Sequence, residues 1–328
     1  MDNALRKKAA ELLIMGSWHV YCRLSLDEGV QLVAGALERG INHFDVVDYW
    51  DNDIQNTTRF REIVKILDLP RESYRVGIKI FPNSVDDRET ILRRELDRLG
   101  LEYADFALCS RPTAGESMEH AVESMDGLVK AGLIKRLDFT MWDPAVAKEA
   151  ITMMKERGLT VPVSMQFPYN VGRRDVVESK DYIELFEDGL KLSAGFTLEG
   201  GLLCGHVHRR RYEPEDKAAG IWYEPGDRNM TRDHGGIRSK IAAIVPKLNE
   251  LAEGIGVKGG QLAMAYVVTN PYLENLVFGA TKLWQIDEAL EAVELGLTQP
   301  KLVRELADKV YVSGAAIPGY FDYGRFKL

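Results

Sequence analysis

Cysteine is scarce. Cys22, Cys109 and Cys204 are the only three in 328 residues. They stand far apart, are odd in number and form no CxxC or Cys/His spacing, which excludes a disulfide framework and a zinc site and fits a reducing compartment. Long apolar runs are also lacking. The run Leu12–Met15, after the basic pair Lys7 and Lys8, is too short for a signal-peptide core, and no stretch reaches membrane length. Positive charge is in deficit: 42 lysines and arginines against 50 aspartates and glutamates leave a net charge of −8. That balance argues against a general nucleic-acid surface, which needs clustered cations to displace counterions. There is no low-complexity segment, no visible repeat, no GxGxxG and no P-loop. The expectation is a cytoplasmic protein with a small-molecule substrate and neither nucleic acid nor membrane as partner. Its oligomeric state is left open.

What remains is ordinary globular composition, 45% hydrophobic and 28% charged, arranged in two alternating periods. Short apolar runs read as buried strands at Leu12–Met15, Ile41–Val47, Arg75–Ile80, Tyr103–Cys109, Ile134–Thr140, Val161–Phe167, Leu192–Thr197 and Asn275–Gly279. Between them apolar residues recur at helical spacing, as in Val30, Val33, Ala34 and Leu37, or Ala147, Ala150, Ile151 and Met154. Ser25-Leu26-Asp27-Glu28 has the form of a capping box, and Gly40, Gly100, Gly132 and Gly158 stand where helix terminators belong. Eight strand–helix units imply parallel neighbours joined by helical crossovers. Without a glycine-rich phosphate turn after an early strand, a doubly wound sheet is disfavoured. The predicted fold is a single α/β domain over residues 1–328, a closed (β/α)8 TIM barrel. A long loop, 206–235, follows strand seven and reads as a binding loop or lid. The tail 314–328 carries Tyr320, Phe321, Tyr323 and Phe326, which could reach over the barrel mouth.

Reacting groups in such barrels sit at the carboxyl ends of strands. At those ends stand Asp45, Lys79, Arg111, Thr140, Gln166 and the run Gly279-Ala280-Thr281, and with them the chain resembles the aldo-keto reductase family over nearly its whole length. Gly40-Ile41-Asn42-His43-Phe44-Asp45 is similar to the family's Gly-Ile-Asn-x-Phe-Asp, Ile78-Lys79 to its Thr-Lys, and Arg111-Pro112 to the end of its strand four. Leu128-Val129-Lys130-Ala131-Gly132-Leu133-Ile134-Lys135 is similar to Leu-Val-x-x-Gly-Lys-Ile-Arg, and Gln166-Phe167-Pro168-Tyr169-Asn170 to Gln-x-x-Tyr-Asn. Gly201-Leu202-Leu203-Cys204-Gly205, Gln261 to Tyr266, and Gly279-Ala280-Thr281 through Gln285 complete the order.

The resemblance implies carbonyl reduction, or alcohol oxidation, with a nicotinamide cofactor: NADP(H), with NAD(H) as the alternative. The family's chemistry uses an Asp, a Tyr five residues later, a Lys and a His. Asp45 and Lys79 fill two of those positions; Trp50 stands at the Tyr position and Ser110 at the His position. An indole N–H donates a hydrogen bond but is no acid near neutral pH, so proton transfer must be reassigned. The candidates are Tyr49, one residue away; Lys79 itself, as acid or Schiff-base amine; and Asp48 or Asp51 acting with a substrate-bound group. Alternatively Asp45 and Lys79 persist as a structural ion pair.

For the cofactor, the resemblance implies carboxamide contacts from Thr140 and Gln166, with Met141 at the usual Asn place and Gly195 where an aromatic residue usually stacks on the nicotinamide. At the adenosine end it implies Gly279, Thr281 and Lys282 for a 2′-phosphate, in a backbone-lined loop before a helix, and Gln285 and Glu288 for adenine, with Ala289 at the expected Asn. Arg228 resembles a pyrophosphate position in the long loop, which also holds the basic cluster His206, His208, Arg209, Arg210 and Arg211. Trp18, His19, Trp50, Arg111 and Trp222 are expected around the substrate, with Tyr21 as a further aromatic of the mouth. His19 is the candidate replacement for the missing His, and His43 is expected to face the helix layer. No metal site is expected. Three functions follow: an NADP(H)-dependent oxidoreductase with a non-standard proton donor; a redox-neutral dehydratase, epimerase or cyclase on the same scaffold; or a catalytically silent nucleotide-binding protein.

Overall fold

The computed structural model describes residues 3–18, 20–48, 55–82, 86–113, 115–205 and 237–312. Eight short strands pair in chain order and close on themselves: β1 Leu13–Gly16, β2 His43–Asp45, β3 Arg75–Ile80, β4 Phe106–Cys109, β5 Leu137–Thr140, β6 Ser164–Pro168, β7 Lys191–Gly195 and β8 Leu273–Phe278. Every pairing is parallel. Gly16 lies opposite Asp45 on one side of β1, and Leu13 lies opposite Leu276 where the barrel closes. The (β/α)8 barrel expected from the alternating periods is therefore the observed fold. The loop 206–235 and the tail 314–328, with Trp222 and Arg228, lie outside the described residues, as do His19, Tyr49 and Trp50.

Local chemistry explains why the helices begin and end where they do. α2, Leu26–Glu38, opens on the Ser25/Glu28 capping box, in which Glu28 N donates to Ser25 Oγ at 3.2 Å and Ser25 N to Glu28 Oε2 at 3.1 Å. Gly40, Gly100, Gly132 and Gly158 have φ of 82°, 68°, 72° and 65°, the left-handed conformation in which a chain leaves a helix without a Cβ clash. The helix α1, Asn3–Leu12, was not expected. It takes Leu12 from the predicted first strand; the helix contacts β1 and β8, and its two buried residues, Ala9 and Ala10, belong to the main core.

Strand alternation separates two apolar regions. Outward-facing residues such as Phe44, Val76, Ala107, Phe139 and Met165 join the helices in the main core. Phe44 packs on Phe60 of α3, Asn56–Ile66, at 5.1 Å between ring centroids. The helices that follow are α4 Arg88–Leu99, α5 Met118–Lys130, α6 Pro144–Glu156, α7 Lys180–Glu187 and α8 Ile237–Glu253. Phe139 stacks on the buried Trp142 at 4.0 Å, and the Trp142 indole N–H is satisfied by the Cys109 carbonyl at 2.9 Å. Inward, Ile14, Phe106, Leu108 and Val277 form a separate plug that fills the lumen. Gly77 makes room for that plug: a Cβ there would sit 2.0 Å from the Phe106 ring. Above the plug the lumen opens towards the carboxyl ends of the strands.

The same alternation corrects the expectation for His43. Phe44 takes the outward place, so His43 points into the barrel on the same side as Asp45. There, burial together with the Arg75 and Arg136 charges pushes its imidazole down to about 4, and it is neutral at physiological pH.

Candidate active site

Asp45 ends β2 and Lys79 is the second-last residue of β3, both facing inward. Their side chains meet at 2.6 Å, Lys79 Nζ donating to Asp45 Oδ2, with 10% and 3% of the side chains exposed. The strand ladder fixes both: Ser17 N donates to the Asp45 carbonyl and Val46 N to that of Gly77, each at 2.9 Å. Asp45 Oδ1 is buried without a hydrogen-bond partner. Both residues line a cavity of about 810 Å³, within the range of small-molecule and cofactor sites.

From this pair the cavity runs past the ends of β5 to β8. Thr140 and Gln166 line it, and Gln166 Nε2 is buried without a partner. Gly195 leaves the adjoining wall bare: a Cβ there would make only ordinary contacts, 3.6 Å from the Phe167 carbonyl and 3.7 Å from the Gln166 side chain. An unsatisfied amide donor beside an open place suits a flat carboxamide-bearing ring, so these residues fit a nicotinamide. Trp18 lines the cavity as well.

The mouth departs from the sequence reading in several places. Ser110 and Arg111 are not among the described lining residues; Phe81, just past β3, stands in the wall. Ser110 is buried with its hydroxyl directed to the Arg111 carbonyl at 3.4 Å. Tyr21 belongs to the core, packed on Phe60 with 0% of its surface exposed. Asp48 is committed to the start of α3, where its carboxylate accepts from Asn56 N at 2.6 Å and also binds the Thr57 hydroxyl. It is a helix cap rather than a free acid.

Sequence reasoning missed Phe196. Continued alternation would send it outward after Gly195, but its φ of 56° turns its ring into the cavity, 4.9 Å from the Trp18 ring. Phe196 and Glu199 (φ 50°) are two of four described non-glycine residues with positive φ; a third, Met141 at 54°, also lines the cavity. Such backbone costs about 1–2 kcal/mol per residue and persists only where the surroundings impose it. The surroundings are a buried network. Arg173 grips Glu199 through two bonds of 2.7 Å, with 5% and 0% of the side chains exposed. Asn170 Nδ2 donates to the Phe196 carbonyl at 2.9 Å and to Glu199 Oε2 at 3.0 Å. The only signal of this in the sequence was Tyr169-Asn170 in the Gln166 motif.

At the far end, Gly279 and Thr281 lead into α10, Leu283–Thr298. The Gln285 carbonyl accepts from Thr281 N at 2.7 Å and Lys282 N at 3.0 Å. These two amides, expected to cradle a phosphate, are thus already engaged, and an anion here would be met by the side chains of Thr281 and Lys282. Lys282 Nζ pairs with Glu28 at 3.1 Å, and that pairing together with the Ser25 bonds holds the Glu28 carboxyl below its usual range. Glu288 lines the cavity and pairs with Lys258, the residue before α9, Gly259–Val268. Cys204 also lines it, as an exposed free cysteine.

Comparison with known proteins agrees with this layout. A protein of Oryza sativa subsp. japonica named as a probable voltage-gated potassium channel subunit beta is 28% identical over 316 residues, covering 91% of each chain. One of the same name from Arabidopsis thaliana is 25% identical over 314 residues, again 91% of each. A putative voltage-gated potassium channel subunit beta of Schizosaccharomyces pombe is 27% identical over 310 residues, 90% of this chain and 87% of its own. The Aldo/keto reductase family model matches residues 12–307, from the end of α1 through β8 and beyond. The chain belongs to the aldo/keto reductase family.

Proposed function

We propose that this protein is an NADP(H)-dependent oxidoreductase that interconverts a carbonyl and an alcohol on a small organic substrate, with a proton donor other than the usual tyrosine. The observation that carries this reading is the Lys79–Asp45 pair at 2.6 Å, set in the wall of a cavity that continues to the start of α10. Thr140 and Gln166 would hold the nicotinamide carboxamide. Gly279, Thr281, Lys282, Gln285 and Glu288 would hold the adenosine end, with Arg228 of the long loop on the pyrophosphate.

When bound, a reduced nicotinamide supplies hydride to the carbonyl carbon. The chain's own task is the oxygen. Asp45 fixes the Lys79 ammonium, whose N–H meets the developing alkoxide and passes it the proton, to be replaced from solvent. Tyr49 is the alternative donor. Trp18 of the cavity wall is assigned to the substrate, with Trp50, His19 and Trp222; Ser110 and Arg111, which are not among the described residues lining the cavity, are left out of the substrate site. Phe81, Phe196 and Met141 add apolar wall, which suits a hydrophobic or planar substrate.

The test is transfer of label from NADPH dideuterated at C4 to a panel of aromatic and aliphatic aldehydes, read by mass spectrometry. Deuterium on the alcohol carbon is the expected result, and an unlabelled product or none from every aldehyde contradicts the reading. A second reading is favoured by the names of the relatives and by Trp50 and Ser110 together: a catalytically silent nucleotide-binding subunit of a membrane channel. It predicts NADPH binding with no label transfer. No helix among the described residues is long and apolar enough to cross a membrane, so on that reading the channel would be a separate chain.

A further inference from the structure

Trp18 follows β1 and Phe196 follows β7, the two strands that flank β8 in the closed barrel. Both loops lean over the end of β8. From one side Val20 comes within 3.8 Å of where a Cβ on Gly279 would stand; from the other the Thr197 hydroxyl donates to the Val277 carbonyl at 3.4 Å. The two large rings meet there, 4.9 Å apart between centroids and inclined at 42°. Both line the cavity and both are half-buried. Inward of them lie Lys79 and Asp45; outward, past Gly279 and Thr281, lies the start of α10. Rings at this separation are in contact, and no third ring passes between them. Phe196 is held in place against its own backbone preference. Its φ of 56° is left-handed, and the network of Arg173, Glu199 and Asn170 fixes its carbonyl. Backbone strain of this kind gathers at switches and ligand clamps.

We infer that the Trp18–Phe196 pair is a gate across the cavity, shut in the free chain, and that the Phe196 ring turns aside to admit the nicotinamide half of a dinucleotide. The inference rests on the nucleotide-binding reading. A dinucleotide anchored by its adenosine half beyond β8 must cross the end of that strand to bring its nicotinamide to Thr140, Gln166 and the Lys79–Asp45 pair. The two rings stand on that crossing. The backbone of Phe196 is tied, so the part free to move is its half-buried side chain, with the bare wall of Gly195 beside it, where a Cβ would make only ordinary contacts. Shutting the gate gains one aromatic contact, and a ligand that prefers the open state shifts the balance by that preference. Until then the chain accepts the dinucleotide only in the fraction of time that the gate stands open.

Stopped-flow tryptophan emission of the full chain separates the gate from the nucleotide-binding reading. NADPH, which must pass the rings, is compared with adenosine 2′,5′-bisphosphate, which need not. Phe196→Gly removes one ring and suits the left-handed backbone, so the fold is kept. Trp18→Ala removes the other ring, and Phe196→Tyr retains both. With an open state populated at about 10% or less, Phe196→Gly and Trp18→Ala are expected to speed NADPH association by about 10-fold or more, read as the slope of the observed rate against nucleotide concentration. Phe196→Tyr should stay close to the unmodified chain. The bisphosphate should associate at one rate with every variant. A slope for NADPH no steeper in Phe196→Gly than in the unmodified chain overturns the inference and leaves the nucleotide-binding reading intact. An equal acceleration for the bisphosphate also overturns it, since that would mark a general loosening of the loops. If the unmodified chain binds neither ligand, the nucleotide-binding reading itself falls, and the gate with it.

Discussion

Lys79→Met is expected to lower the rate of carbonyl reduction by about 100- to 10,000-fold, the usual worth of a positioned proton donor. The variant has a second consequence that must be separated from the first. Asp45 has 3% of its side chain exposed and already carries one oxygen without a partner. Removing the ammonium strands a buried carboxylate, which costs about 3–5 kcal/mol of stability. The double variant Asp45→Asn, Lys79→Met removes the stranded charge and should recover much of that stability in urea denaturation. It should not recover turnover. If the double variant regains both stability and reduction of the same aldehyde, the pair is only a structural ion pair.

Glu199→Ala is expected to destabilise the protein by about 3–5 kcal/mol, because it leaves Arg173 charged and buried with its two short bonds gone. The effect should not stop at stability. Glu199 and Asn170 together hold the turn that keeps Phe196 in its left-handed backbone. Once the network is cut, the backbone relaxes towards ordinary φ, the Phe196 ring leaves the Trp18 face, and the wall beside Gly195 opens. The double variant Arg173→Met, Glu199→Met replaces the ion pair with apolar bulk and should be more stable than either single change, the signature of direct coupling. A loss below about 1 kcal/mol for Glu199→Ala, in the range of exposed ion pairs, contradicts this assignment.

How far the sequence reached depends on the range of the interactions involved. Strand order, the Ser25 capping box and the glycines that end helices are set by chemistry within a few residues and stand where the patterns put them. Strand bounds shift, as in Phe106–Cys109 against the expected Tyr103–Cys109 and Leu137–Thr140 against Ile134–Thr140. The meeting of Asp45 and Lys79 is a contact between distant segments, but barrel geometry sends both strand ends to one mouth, so it too was legible. Phe196 was not, because alternation ends with the strand and a single left-handed residue reverses where a side chain points. Asp48 read as a free acid because its role as a cap depends on how the chain returns at Asn56. The Thr281 and Lys282 amides read as open because the Gln285 side chain that takes them folds back from the helix. His43 shares the parity of Asp45 on β2, and which face that is shows only in the packing of Phe44 on the helix layer. Arg173 and Glu199, 26 residues apart, carry no local pattern at all.

On the proposed function, the cavity between the Lys79–Asp45 pair and α10 holds a nicotinamide dinucleotide. Equilibrium titration of the full chain with NADPH, followed by the emission of the reduced nicotinamide itself, tests it most directly. Saturable binding at one nucleotide per chain, tighter for NADPH than for NADH through Lys282 and Thr281, is the predicted result. A linear response with no saturation up to millimolar nucleotide would contradict the account and leave the barrel to some other use.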